Sequence, residues 1–327
     1  MMGCNTVHAR LPLALLVAGP TCSGKSALAL ALAERLGGVV INADSMQIYR
    51  ELRILTARPS EDDERRVPHA LYGVRPAAEP GHVAWWREAA LSEMAEAHAR
   101  GLLPILCGGT GLYFSALRHG LSEIPPVDPE ARSEARAALA TLGPQALHAE
   151  LAASDPDTAA QIRPSDSQRI ARAYEVLIGT GRGLASWRRH ATLPPPPWRF
   201  RAIQLDPPRT ELHEVAALRF DAMLAAGAEE EVRRLAEQNL DPALPAMRAH
   251  GVPELVAYLE GGMTLENARA QAVTNTRHYI KRQVTWFRHH ELAENDHLHM
   301  IHAQIADPAQ LSESGIADLT RFIREVG

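Results

Sequence analysis

Lysine is nearly missing from this chain. Among 327 residues only Lys25 and Lys281 carry it, so 32 of the 34 basic side chains are arginine. The two positions that keep lysine therefore call for separate explanation. Cysteine is scarce as well. Cys4, Cys22 and Cys107 stand far apart with no CxxC pair, which excludes a disulfide framework and fits a reducing compartment. Long apolar runs are absent: the N-terminal one, Leu11 to Gly19, falls well short of the roughly 20 residues a spanning helix needs. No A-x-A-like cleavage site closes that run, so the expectation is a soluble, cytoplasmic chain without a membrane partner. An excess of basic charge is also lacking. With 39 acidic residues the net charge is −5, which excludes a uniformly basic nucleic-acid protein. At 46% hydrophobic and 22% charged, the composition is that of a folded protein rather than a disordered one.

What is present points to about two domains. Residues 13–18 (LALLVA) form a continuous apolar run, as in a buried parallel strand. A glycine-bearing turn and an Ala/Leu-rich helix at 27–36 follow. Further strands are expected at 39–41 and at 103–107. This alternation predicts an α/β fold with a parallel sheet flanked by helices. From Pro125 the pattern turns helical, and a proline stretch at 193–198 (LPPPPW) reads as a stiff linker. The expected organisation is an α/β core in residues 1–123, an all-helical insertion at 124–195, and completion of the core at 196–327. That last part should add a strand at 200–205 and then run helical to its end. No solenoid-type repeat is visible.

Charge is unevenly placed. Residues 163–201 hold eight arginines against Asp166 and Glu175, a net of +6. Residues 269–290 hold four arginines and Lys281 with no acid, a net of +5. Everything else carries −16. Two basic islands on an acidic body are the kind of local field that takes a polyanion.

Gly19-Pro20-Thr21-Cys22-Ser23-Gly24-Lys25-Ser26 matches GxxxxGK[ST], after a strand and before a helix. Such a P-loop folds its backbone into a nest of inward N–H groups, to which the helix N-terminus adds partial positive charge. Lys25 supplies a mobile cation for the outer phosphate, and the Ser26 hydroxyl is placed to ligate Mg²⁺. The motif calls for a di- or triphosphate without saying which. Two common sequels are missing. The strand at 103–107 ends in Gly-Gly-Thr-Gly rather than an acid, and no NKxD motif exists for reading guanine. The nearest acid in sequence is Asp44, at the end of the second strand, where an open α/β sheet binds its ligands, so it should face the site; a helix cap or turn residue is the alternative.

Taken together, several segments resemble the tRNA dimethylallyltransferases. They are GPTCSGKS (19–26), INADSMQIYR (41–50), TARP (56–59), GGTGLYFSAL (108–117), DPEAR (128–132), QRIARAYEV (168–176), RFDAML (219–224) and KRQVTWFR (281–288). The resemblance implies a P-loop NTPase-like core. It implies transfer of a dimethylallyl group from dimethylallyl diphosphate to the exocyclic N6 amine of an adenosine beside the anticodon of tRNA. The P-loop, with Lys25, Arg219 and a Mg²⁺ near Ser26, would hold the leaving diphosphate, its amides at 21–26 pointing inward. Asp44 would be the general base. Asp44, Ser45, Met46 and Gln47 would bind a flipped nucleotide. Thr110 would join them at the site; alone, it reads equally as a turn hydroxyl. Further tRNA contacts carried over are Arg132, the run Gln168, Arg169, Ile170, Ala171 and Arg172, and Arg248, Lys281 and Arg282. A monomer is expected.

By spacing alone, Arg169 and Arg172 share one face of a helix begun near Ser165-Asp166, with Ile170, Tyr174, Leu177 and Ile178 on another. A solvated charged face is the ordinary alternative. Trp286 and Phe287 either face nucleic acid or anchor their helix. The sequence departs from the family pattern at Val252, where tyrosine is usual, and at Leu55, where glycine is usual. Asp62-Asp63-Glu64 reads as a solvated stretch, and the C-terminal histidines as structural or surface residues. Competing functions are an ATP-dependent small-metabolite kinase, an adenylate prenyltransferase, and a nucleotide-gated RNA-binding regulator. The basic islands speak against the first two.

Overall fold

The apolar run at 13–18 forms β1 (Leu13–Ala18), buried along nearly its whole length, as a strand covered on both faces must be. The computed structural model describes residues 11–190, 192–305 and 313–325; Cys4 lies outside them. After β1 come α1 (Lys25–Leu36), β2 (Gly38–Asn42), α2 (Glu61–Arg66), β3 (His69–Ala70), α3 (Val83–Ala99), β4 (Leu103–Gly108) and α4 (Gly111–His119). Next are β5 (Leu121–Ser122), α5 (Pro129–Ser154), α6 (Pro156–Ala159), α7 (Ser167–Thr180), α8 (Leu184–His190) and β6 (Thr192–Leu193). The chain continues through β7 (Arg199–Leu205), α9 (Arg209–Ala225), α10 (Ala228–Ala236), α11 (Val252–Leu259), α12 (Leu265–His289), β8 (Leu298–Ile301) and α13 (Glu313–Arg324). Two units result, Met1–Leu117 with Pro196–Gly327, and Arg118–Pro195.

In the first unit, six parallel strands run in the order β3-β2-β4-β1-β7-β8. Alternate residues of β1 serve opposite faces, the period-2 geometry of a strand. Leu16 packs with Trp86, Met94, Phe114 and Phe287 from α3, α4 and α12. Leu15 and Val17 pack with Leu28 and Leu32 of α1 and with Leu319 and Ile323 of α13. β8 corrects the expectation of an all-helical C-terminal stretch. His299 interrupts its short apolar run, and the strand takes its order from pairing with β7, Ala202 opposite Leu298 through Leu205 opposite Ile301. Asp62, Asp63 and Glu64 fall in α2, whose N-terminus Ser60 and Asp63 close with a reciprocal capping box.

The 118–195 unit is helical except for one antiparallel ladder, Leu121 opposite Leu193, so the proline stretch is free of strand structure only after Leu193. Leu147 and Leu151 of α5, Ile170, Ala173 and Val176 of α7, and Leu184 of α8 make its core. Asp166 caps α7 by accepting the Arg169 amide proton at 3.2 Å.

Candidate active site

Strand order decides which loops meet. β2, β4 and β1 are neighbours, with Asn42 opposite Cys107 and Ala18 opposite Gly108. The loops that leave their carboxyl ends carry Asp44, Thr110 and the P-loop, and they converge on one edge of the sheet. The approach is close: a Cβ on Gly108 would lie 2.0 Å from the Ala43 carbonyl oxygen.

The P-loop is tightly held. Gly24 takes φ +89°, and a Cβ there would lie 1.9 Å from the carbonyl oxygen of Ile305, whose amide in turn donates to Ser23 O at 3.1 Å. Not all amides of residues 21–26 point at a ligand, which corrects the expectation. Thr21 N–H donates to Gln283 Oε1 at 2.8 Å, and Ser23 N–H donates to Pro20 O at 3.2 Å. The first turn of α1 retains the unsatisfied N–H groups that any helix start presents. Thr21 is left with its side chain alone to offer.

Asp44 is positioned by its neighbours. Its amide donates to Asn42 Oδ1 at 2.8 Å, while the Asn42 side-chain amide donates to Asp44 O and Leu71 O. Asp44 Oδ1 accepts the Met46 amide proton at 2.9 Å. Oδ2 makes no hydrogen bond among the described residues, so one carboxylate oxygen stays available. Thr110 joins this loop to its own: Oγ1 accepts the Ser45 amide proton at 2.9 Å and donates to Ser45 Oγ at 3.3 Å. Gln47 is committed elsewhere, its amide donating to Thr56 O and Ala57 O, both at 2.9 Å.

Lys25 is half-buried, its ammonium 3.4 Å from Pro20 O. Burial pushes its pKa down; Asp44 and the Cys107 thiol oppose that, and the Arg219 guanidinium adds to it. An ammonium stripped of solvent with an arginine nearby is a site waiting for an anion. Arg219, on α9, forms no ion pair among the described residues. Burial drives the Cys107 thiol up to about 11, against the pull of Lys25 and a hydrogen bond with Ser26, so it stays protonated at neutral pH. The Tyr279 phenol is likewise raised by burial and by Asp44, with the nearby Thr110 and Gln283 side chains acting in the opposite direction.

A cavity open to solvent, with about 620 Å³ of atom-free space including its open side, adjoins Asp44, Arg219 and Tyr279. Its lining mixes polar residues, among them Thr21, Asp44, Arg219 and Tyr279, with the apolar wall residues Met46, Leu55, Phe220 and Met223. The Leu55 side of that wall is pinned from α10. The buried Glu231 carboxylate accepts the amide protons of Arg53, Ile54 and Leu55 at 2.6, 2.7 and 2.9 Å.

The chain is similar to known proteins. Residues 47–290 match the family described as IPP transferase, and residues 13–69 match that described as isopentenyl transferase. The tRNA dimethylallyltransferase of Granulibacter bethesdensis is 59% identical, over 95% of this chain and 98% of that one. That of Gluconobacter oxydans is 56% identical, over 95% and 94%. The chain belongs to the IPP transferase family, that of the tRNA dimethylallyltransferases. Among solved structures, it resembles the full-length tRNA isopentenylpyrophosphate transferase of Bacillus halodurans, with TM-score 0.66 and 32% identity over 96% of each chain. A eukaryotic dimethylallyltransferase acting on tRNA gives TM-score 0.77 and 26% identity, over 95% of this chain and 79% of that one.

For an IPP transferase, the remaining candidate residues divide by exposure. Gln168, Arg169 and Arg172 are exposed on α7. Ile170 is fully buried in the core of its unit, which corrects its place among the RNA contacts: its side chain is packing. Ala171 is half-buried. Arg132 and Arg172 share the carboxylate of Glu175, at 3.4 and 2.6 Å. Arg248 and Arg282 are exposed on one hollow with His250, Glu254 and His278, and Lys281 is exposed beside them in sequence. Val252, where the family has tyrosine, is buried. Trp286 packs over Gly111, where a Cβ would come within 2.1 Å of the indole, and Phe287 is buried; both anchor α12. No group of three or more His, Cys, Asp or Glu suited to a metal occurs among the described residues, and no helix there is long and apolar enough to cross a membrane.

Sequence reading missed Gln283, Tyr279 and Glu231. Gln283 was the most accessible of them. It lies on the apolar stripe Ile280-Val284-Phe287 of α12, and a polar residue on such a stripe signals a buried partner.

Proposed function

We propose that this chain transfers a dimethylallyl group from dimethylallyl diphosphate to the N6 amine of an adenosine adjacent to the anticodon in tRNA, releasing diphosphate. The cavity carries the reading. P-loop residues Thr21 and Cys22 share one cavity with Met46, Leu55, Phe220 and Met223, side chains suited to a short branched hydrocarbon, and with the Asp44 carboxylate. Phosphoryl transfer in itself does not require apolar side chains beside the P-loop.

The chemistry follows from the residues. The adenosine amine is a poor nucleophile because its lone pair is delocalised into the ring. Asp44 Oδ2 accepts a hydrogen bond from it and takes its proton as the carbon–nitrogen bond forms. As that bond forms, the allylic carbon–oxygen bond breaks and negative charge grows on the diphosphate. The free amides at the α1 N-terminus, the Lys25 ammonium and Arg219 receive this charge. Lys25 suits the nest as a compact cation where a planar guanidinium would not. A Mg²⁺ would neutralise diphosphate charge, and the hydroxyl of Ser26, an exposed residue, is the ligand the chain offers. With few carboxylates nearby, diphosphate oxygens and water would complete its shell, which is the usual habit of Mg²⁺. Tyr279 and Thr110 orient the acceptor side. The target base must leave its stack to enter, and the arginines of the 118–195 unit and of α12 are proposed to grip the phosphates around it.

The test is incubation with labelled dimethylallyl diphosphate and unmodified tRNA, with and without Mg²⁺, beside a parallel ATP arm. Label should pass to tRNA adenosine only with Mg²⁺ present. Tight ATP binding with phosphoryl transfer, and no use of the prenyl donor, would overturn the assignment.

A further inference from the structure

We infer that Gln283 is a positioning residue that sets the distance between the donor cradle and the acceptor loop. Its side chain is buried on α12 and reaches two different loops at once. Oε1 accepts the Thr21 amide proton at 2.8 Å, and Nε2 donates to the Gly109 carbonyl at 3.0 Å. Thr21 belongs to the P-loop, and Gly109 immediately precedes Thr110. A Cβ on Gly109 would come within 2.1 Å of Nε2, so glycine there is what lets the amide in. One turn earlier on the same helix, the Tyr279 phenol lies close to Thr110 and Gln283. Thr110 in turn holds the Ser45 amide beside Asp44.

The consequence is a continuous polar chain from phosphate cradle to general base, with one rigid helix as its ruler. β1 and β4 pair only as far as Ala18 and Gly108, so beyond those residues no sheet hydrogen bond fixes the spacing of the two loops. The Gln283 amide takes over that task, one group to each loop. Glutamine fits because it carries a donor and an acceptor on one planar group. A carboxylate would set an acceptor against the Gly109 carbonyl, and asparagine is one methylene too short to span both. Displacement of the nucleophile relative to the allylic carbon by about 1 Å is enough to cost on the order of 10²-fold in rate, so a residue that never touches substrate can govern turnover.

The inference rests on the prenyl transfer proposed above, and the experiment separates the two. Gln283→Met keeps the side-chain length and removes both hydrogen bonds; Gln283→Asn keeps polarity and loses the span. Single-turnover prenylation of tRNA is measured with KM for both substrates, alongside amide hydrogen exchange of the folded variants. The expected result is a loss of on the order of 10²-fold in the chemical step with KM values changed less than about threefold. Exchange should accelerate at Thr21 and in the segment 108–111, without acceleration across the sheet. Wild-type rates in both variants, or a loss that appears only as global unfolding with exchange faster everywhere, would overturn the role of Gln283. Failure of the wild-type chain to prenylate tRNA would instead overturn the functional reading, and the exchange result would still decide whether Gln283 ties the loops.

Discussion

In the α/β unit, the polar side chains around the cavity hold backbone amides at 2.6 to 2.9 Å: Asp44 that of Met46, Gln283 that of Thr21, Glu231 those of residues 53–55. In the 118–195 unit, Arg132, Arg169 and Arg172 are about half exposed or more, and they pair with carboxylates of their own unit. The difference tracks the task. Bond making needs reacting atoms fixed within fractions of an ångström, so the groups involved are locked to backbone. Gripping a polyanion needs charge in the right region, and long mobile arginines supply that without a fixed pose.

The largest effect should come from the one cavity carboxylate with a free oxygen. Asp44→Ala is expected to lower the prenylation rate by 10²-fold or more, about what loss of a general base costs. tRNA binding, measured by filter retention, should be largely kept. If binding is lost while the modification persists, Asp44 belongs with the RNA-gripping residues and the contrast between the units collapses.

Gly24→Ala comes next. The left-handed backbone alone costs about 1–3 kcal/mol for a non-glycine residue, and the new Cβ would meet the Ile305 carbonyl at 1.9 Å. Diphosphate should no longer raise the thermal midpoint, because the nest cannot form. Glu231→Gln is expected to be milder. Its carboxylate accepts three amide protons, and an amide NH₂ turned toward one of them leaves a buried donor unsatisfied, at about 1–3 kcal/mol. Denaturant unfolding gives the loss in stability. A loosened Leu55 wall should also raise KM for the prenyl donor more than KM for tRNA.

How far these features could be read beforehand follows the same divide. β1, the P-loop, β4 and the Asp44 position were legible because a buried parallel strand is a plain apolar run and a phosphate nest needs glycine and lysine at fixed places. β8 was not, because an edge strand interrupted by His299 has no run to show and takes its order from β7. Gln283 showed only as a polar residue on an apolar stripe, and Glu231 not at all, for a related reason. Their partners lie 262 and some 177 residues away, and one sequence carries no mark of which distant amide a side chain will meet. The arginine run on α7 was legible as charge, but reading it as a contiguous block swept in Ile170, which helical periodicity alone places in the core.

The smallest effect distinguishes two arginines on one helix. Arg169 has 73% of its side chain exposed and pairs with Asp166 in an i,i+3 contact. Such pairs contribute roughly 0–1 kcal/mol, so Arg169→Gln should leave stability within about 0.5 kcal/mol. If it contacts a phosphate, the slope of log K for tRNA against log salt should fall by about 0.7–0.9, according to whether the RNA there is single- or double-stranded. Arg172 differs because its partner, Glu175, has a side chain only 10% exposed. Arg172→Gln leaves that carboxylate with Arg132 at 3.4 Å and should therefore cost stability as well as affinity. Equal stability for the two variants, measured in urea, would mean that Glu175 is held well enough by Arg132 alone, and that both arginines are free for RNA. Lower stability for Arg172→Gln alone would mean that even in the unit built for loose contacts, one arginine is tied down as firmly as the groups around the cavity.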